Sequence, residues 1–286
     1  MGRIESGKGF VNRWECDEND HMNVQFYWTK FQAAALHFRL QTGLEELPED
    51  ARTSRHIRYH SEVGAATPLA VQSFVTLDIS YPFAIIHEMR DAISNRLSAT
   101  LIDRYDLSDM EHWAGLAYPY RAPLTTEAAP RSFSPVPVSR DDAEQTRHSP
   151  KAVTSYRGQV SPDQCDQNGR ALDSYIIHCA TDGASHAWEA AGLTTDWLNE
   201  NNLGRVAVEM KLSRLAPLQA HDPVHLVSVT TSAANRTFSF RHHLINTRSG
   251  ALSAVVDVTG LAMDLGARKA VIWPKEIRAR LDEAIG

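Results

Sequence analysis

The sequence predicts an α+β protein built as a tandem pair, each half one long helix wrapped by a curled antiparallel sheet. The first observation is a repeat: Cys16, Asp17 and Asn19 fall on Cys165, Asp166 and Asn168 at a constant offset. Further on, Gly43 falls on Gly192 at the same offset, and the run from Ser98 to Asp103 resembles that from Ser253 to Asp257. Similarity spread over half a chain implies two copies of one unit. The second observation is a helical pattern directly behind each Cys-Asp motif. The third is a series of short strand-like stretches behind each helix. These set the expected boundaries: a first unit at 1–120, a proline-rich linker at 121–150 and a second unit at 151–286.

In the first copy Val24, Tyr27, Trp28, Phe31, Ala34, Ala35 and Phe38 recur at three- and four-residue spacing, with Gly43 as the C-terminal stop. Ile176, Ile177, Ala180, Ala184, Ala187, Trp188 and Ala191 repeat this in the second, closed by Gly192. Both helices are apolar over a wide face, so another element must wrap around them. Residues 70–79, 85–93 and 99–105 supply that wrapping in copy one, and 206–212, 224–231, 237–245 and 251–258 in copy two. These stretches are rich in Val, Ile, Thr and Phe and joined by turn residues such as Asn95 and Gly250. A long helix followed by an antiparallel meander is an α+β unit.

Composition narrows the function classes. Of the 286 residues 43% are hydrophobic and 22% charged, the proportions of a globular protein with a sizeable core. A net charge of −6 gives no footprint for a phosphate backbone, so nucleic acid is not an expected partner. No stretch approaches the roughly 18 apolar residues of a membrane span. The polar, Gly-rich start does not read as a signal peptide, and the odd count of 3 cysteines, without a close pair, reads as a reducing compartment. The expectation is a soluble cytoplasmic protein.

The densest polar cluster, Cys16 to Asn23, stands just ahead of the first helix. One reading is an acidic loop ending in an N-cap, with Asn23 or Asp20 satisfying the free N–H groups of the helix. The other notes that Asp17, Asn19 and His21 alternate. An extended segment sends alternate side chains to one face, next to a helix N-terminus able to stabilise an oxyanion. A base, two orienting groups and an oxyanion site are what hydrolysis of an activated acyl group requires.

The stretch Asp17, Asn19, His21, Asn23, Tyr27 resembles the D-x-N-x-H-x-N…Y signature of hotdog-fold acyl-thioester hydrolases, in both the 4-hydroxybenzoyl-CoA thioesterase type and the plant acyl-ACP type. The repeat is similar to that of double-hotdog thioesterases. The resemblance implies a tandem hotdog fold and acyl-CoA thioesterase activity, with Asp17 as general base or nucleophile and Asn19 and His21 acting with it. It further implies thioester-binding backbone near Val24, and substrate contacts from Asn23, Tyr27 and Arg58. Coenzyme A would enter as part of the substrate and no cofactor or metal would be needed. A homo-oligomer built from the double unit is a family habit. Copy two keeps Asp166 and Asn168, a possible second site, but has Arg170 for the histidine and Leu172 for the second asparagine. The reading there is a relic, with Asp166 paired to Arg170, or a weaker base. The full plant acyl-ACP motif lies in the C-terminal copy, which disfavours that substrate here.

Other groups read more plainly. The spacing of His56 with His60 and of His221 with His225 suits metal only on a helix, and both pairs lie in strand-like or Pro-containing contexts. Glu62 reads as solvated or salt-bridged and Cys16 as a packing residue. Arg52, Arg55 and Arg58 are candidates for coenzyme A phosphates or a solvated basic face. A hydratase would need another Asp–His spacing, and a non-catalytic acyl-CoA sensor would not need Asp17, Asn19 and His21 together.

Overall fold

A computed structural model describes residues 2–78 and 80–286; Met1, and Ile79 at the end of the first expected strand, lie outside the described residues. The chain divides into two units, Met1–Pro137 and Val138–Gly286.

Unit 1 runs β1 (Ile4–Phe10), α1 (Val24–Thr42), β2 (Arg52–Tyr59), β3 (Pro68–Asp78), β4 (Tyr81–Asp91), β5 (Leu97–Tyr105) and α2 (Met110–Ala117). Its strands pair antiparallel in the order β1-β3-β4-β5-β2. Unit 2 runs α3 (Arg140–Arg147), β6 (Val153–Gln159), α4 (Asp173–Ala190), α5 (Thr195–Glu200), β7 (Leu203–Arg214), β8 (Pro223–Ala233), β9 (Phe238–Asn246), β10 (Leu252–Asp264), β11 (Lys269–Ala270) and α6 (Lys275–Ala284). Its order, β6-β8-β9-β10-β7 with β11 on β10, repeats that of unit 1. Both units are α+β hotdogs, a long helix against an antiparallel sheet. No helix is long and apolar enough to cross a membrane among the described residues.

Each unit has, ahead of its long helix, a strand that hydrophobic pattern alone does not reveal. β1 and β6 are polar and Gly-containing, and their burial is confined to single inward positions such as Ser6 and Ser155. Helix α1 buries Tyr27, Trp28, Phe31, Ala34, Ala35 and Phe38, the face the spacing predicts. It ends at Gly43, whose φ of 72° and N–H to Arg39 O make the left-handed stop. The approach of α4 to its sheet is close. A Cβ on Gly183 would stand 2.7 Å from Leu226 Cδ2 and 3.0 Å from Ser155 Oγ, so glycine sets the helix–sheet distance there.

The proline-rich stretch 121–150 is not a free linker. Ala122 N donates to Val75 O at 3.0 Å, and Ala128 is buried on a cluster with Phe74, Tyr81 and Ile86 of unit 1. Val138 and Ala143, the latter on α3, pack with Ile245, Leu252 and Val255 of unit 2. Proline restricts the backbone without preventing side-chain burial, so composition alone mistook a packed strap for a spacer.

Phe31, wholly buried under α1, tests this core. Phe31→Ala should lower the unfolding free energy in a denaturant titration by about 3–5 kcal/mol.

Candidate active site

Loop 16–22 is closed by a bridge between Cys16 and Met22, with Asp17 N donating to His21 O at 2.8 Å. Inside it Asp17 Oδ1 accepts the N–H groups of Asn19 at 2.9 Å and His21 at 3.4 Å. This is the local turn that a short carboxylate favours, and Asp20 completes it at φ 61°. Cys16 Sγ braces it against Asn12 O at 3.6 Å. The chain then enters α1 through Asn23, whose Oδ1 accepts Gln25 N at 3.1 Å. Val24 takes the first helical position, where an N–H has no intrahelical acceptor.

The loop lies along the segment after β2. Met22 N donates to Val63 O at 2.8 Å and His21 bridges to Gly64. His21 Nε2 stands 3.5 Å from Glu62 Oε2, both side chains being half-buried. Tyr27, 4% exposed, meets the backbone of Val63 with its hydroxyl. Burial first, then the charges of Glu62 and Asp17, push that phenol far above its usual range, so it is a neutral group. Burial also raises the Asp17 carboxyl, against the lowering effect of the Asn19 and His21 N–H groups. Asp17, His21, Glu62 and Tyr27 thus converge beside the start of α1. The set comprises a carboxylate of raised pKa, an imidazole with an acidic partner, a neutral phenol and a helix N-terminus.

Unit 2 supplies an internal control. Asp166 Oδ1 accepts Asn168 N at 2.8 Å and Arg170 N at 2.9 Å, and Gly169 at φ 74° stands where Asp20 does. Cys165 bridges to Ala171, and Ala171 N donates to Leu218 O at 2.9 Å. The loop is the same but the groups around it differ. By this register Arg170 replaces His21, Pro217 replaces Glu62, Leu172 replaces Asn23 and Ile176 replaces Tyr27. Leu172 makes no side-chain cap, and buried Asp173 occupies the first helical position, held by Arg214 Nε at 2.6 Å.

Two expected substrate contacts are corrected. The Arg58 side chain is 5% exposed, and its Nη1 donates to the carbonyls of Thr126, Glu127 and Ala129 at 2.9, 2.5 and 2.8 Å. A guanidinium committed to three carbonyls under the 121–137 strap does not reach a substrate phosphate. Arg52 and Arg55 are likewise buried, on Glu49 and Asp103. The Asn23 side chain is spent on capping α1. Glu62 is the residue undervalued by sequence: its pairing with a histidine 41 positions away depends on two loops meeting. No group of three or more His, Cys, Asp or Glu arranged to hold a metal occurs among the described residues. If Arg58 is a strap anchor, Arg58→Met should cost about 1–3 kcal/mol of stability, the cost of stranding buried carbonyls, while the KM for substrate stays near wild type.

Residues 160–281 match the Thioesterase-like superfamily. A search of curated proteins gives no match. Among solved structures, a 12:0-ACP thioesterase from Umbellularia californica aligns with a TM-score of 0.60 and 9% identity, over 91% of this chain and 93% of that one. An acyl-ACP thioesterase from Bacteroides thetaiotaomicron aligns with a TM-score of 0.58 and 10% identity, over 91% and 97%. At such identities the likeness is one of fold, and it extends over both units. The fold of the whole chain is thus that of a double hotdog, and its second unit carries the match to the thioesterase-like superfamily.

Proposed function

We propose that unit 1 hydrolyses an acyl-CoA thioester, with Asp17 as general base. One observation carries the reading: the two units keep the same aspartate loop, but only unit 1 surrounds it with an imidazole, a second carboxylate and a phenol. If the aspartate served the loop alone, unit 1 would need none of these. Its Oδ1 is committed to the loop, which orients Oδ2 to take the proton of an attacking water. The water oxygen bonds to the carbonyl carbon, and the developing oxyanion lies toward the Val24 N–H. As the C–S bond breaks, the proton on Asp17 passes to the leaving thiolate. His21, held by Glu62, orients the loop and the water. Positioned acid–base catalysis supplies about 10² to 10⁴ in rate and an oxyanion donor a comparable factor. The chemistry is proton and acyl transfer and calls for no redox group. An acidic carrier protein would need a basic docking surface, which a net charge of −6 does not encourage.

The test is release of free thiol from a panel of short, branched, aromatic and long acyl-CoAs, with an acyl-ACP beside it. Thiol should appear above the blank with acyl-CoA; binding without release would make the protein a sensor, and release only from acyl-ACP would change the carrier. Asn in place of Asp17 can still accept both loop N–H bonds, so Asp17→Asn should keep the melting temperature and lower kcat at least about 10²-fold. Asp166→Asn should leave turnover near wild type; halving by either change would mean two equivalent sites. His21→Ala should cost about 10- to 10³-fold, a positioning effect.

The base must be ionised to act. Since burial raises the Asp17 carboxyl, kcat/KM should fall with decreasing pH through a pKa above the usual aspartate range of about 3.9. An acid limb at or below that value would put another group in the role of base.

A further inference from the structure

A chain of buried polar and aromatic contacts runs through unit 1 to Tyr27. Ser6 Oγ lies 2.6 Å from Ser73 Oγ, and Ser73 Oγ lies 2.6 Å from His87 Nδ1. His87 Nε2 is 3.5 Å from Asp103 Oδ2. Asp103, wholly buried, is gripped by Arg55 at two points, Nε to Oδ1 at 2.5 Å and Nη2 to Oδ2 at 3.0 Å. The Arg55 guanidinium stands 5.9 Å over the Trp28 ring, within the range of a cation–π contact. Trp28 Nε1 donates to Tyr59 Oη at 3.1 Å, and the Tyr59 ring meets Tyr27 edge-to-face at 5.1 Å.

Unit 2 shows which part of this chain the fold needs. It keeps the first links, Ser155 to Ser228 at 2.5 Å and Ser228 to His242 Nδ1 at 2.5 Å. It then stops. The pair Arg55↔Asp103 on β2 and β5 corresponds in register to Met210↔Val258 on β7 and β10. Neither His87 Nε2 nor His242 Nε2 completes a hydrogen bond, but His87 has the Asp103 carboxylate 3.5 Å away where the register of unit 2 offers His242 a valine. Ile177 stands for Trp28, Arg214 for Tyr59 and Ile176 for Tyr27. The same architecture therefore forms with an apolar pair where unit 1 buries two charges. Replacing a buried ion pair by well-packed apolar side chains is often neutral or stabilising, so such a pair is weak evidence of a folding need. The links that unit 2 lacks are those that lead to the site, and it lacks the site as well.

We propose that the Arg55–Asp103 pair is a positioning device: through Trp28 and Tyr59 it fixes Tyr27 against the loop that carries Asp17 and His21. The proposal rests on the reading of unit 1 as the active site. In the complete chain, transplanting the unit 2 solution as Arg55→Met with Asp103→Val tests it. Thermal melting, acyl-CoA turnover and the fluorine resonance of 3-fluorotyrosine placed at Tyr27 are measured together. The melting temperature should hold or rise, the resonance should shift, and kcat should fall about 10-fold or more with KM within about twofold. Trp28→Phe, which keeps a ring but removes the N–H to Tyr59, should move the resonance and kcat the same way. A double variant that melts as wild type with resonance and kcat unchanged overturns the proposal. So does one that cannot fold, since the pair would then be a structural need. If the wild-type protein releases no thiol, the active-site reading falls, whereas the resonance still decides whether the pair holds Tyr27.

Discussion

A carboxylate that accepts two backbone N–H groups is the constraint on which both halves of this protein depend. Asp17 and Asp166 each fold the residues after them into the same closed loop and deliver the chain into its long helix. An aspartate suits the task because its short side chain satisfies local N–H groups that no neighbouring strand can reach. The next residue but two must then adopt a left-handed conformation, which Asp20 and Gly169 both do. Fixing one oxygen to the backbone also fixes the direction of the other. In the proposed mechanism this structural duty, shared by both units, preorganises a base in the one that surrounds it with acid–base partners.

Burial then separates the two units. Alone, desolvation would push Asp103 up toward neutrality, but Arg55 and the nearby His87 outweigh it and hold that carboxyl far below its usual range. A depressed carboxyl contributes stability above its unfolded pKa and loses it as the pH falls through the folded one. The pair is therefore charged at neutral pH. Unit 2 relies on apolar burial at the same register and carries its own polar weight elsewhere, on Arg241 between Asp142 and Asp257. The two copies thus place their buried charges at different positions of the same fold.

Much of this was legible from residue spacing. The repeat, the two helices with their buried faces, and the glycine stop of α1 follow from periodicity, because a wide apolar face leaves one choice of partner. The polar opening strands β1 and β6 did not show, since a strand with few inward side chains carries almost no alternation. Arg58 was misread because a run of arginines looks alike whether it faces water or carbonyls. What decides is the strap 121–137, whose packing depends on a few residues such as Ala128 among prolines. Asp17, Asn19 and His21 were found as a motif, yet their division of labour was not. Whether an aspartate oxygen serves the backbone or a substrate is settled by hydrogen-bond geometry within the loop, which spacing does not encode.

The family match falls on residues 160–281, the unit whose loop has lost its acid–base partners. This is less contradictory than it looks, because a match of that kind weighs core and turn positions as well as site residues. Unit 2 has the more regular core: β10 alone presents nine successive buried residues, and the sheet interior is filled by Met210, Val256 and Val258. Unit 1 has Arg55 and Asp103 where unit 2 has Met210 and Val258, and the charged pair takes it further from an apolar pattern. Buried charges without a folding role are disfavoured, so they accumulate where a function needs rigid orientation. On the proposed reading, the buried Arg55–Asp103 pair and the acid–base groups around Asp17 have one physical origin, the need of a site in unit 1 for rigid orientation.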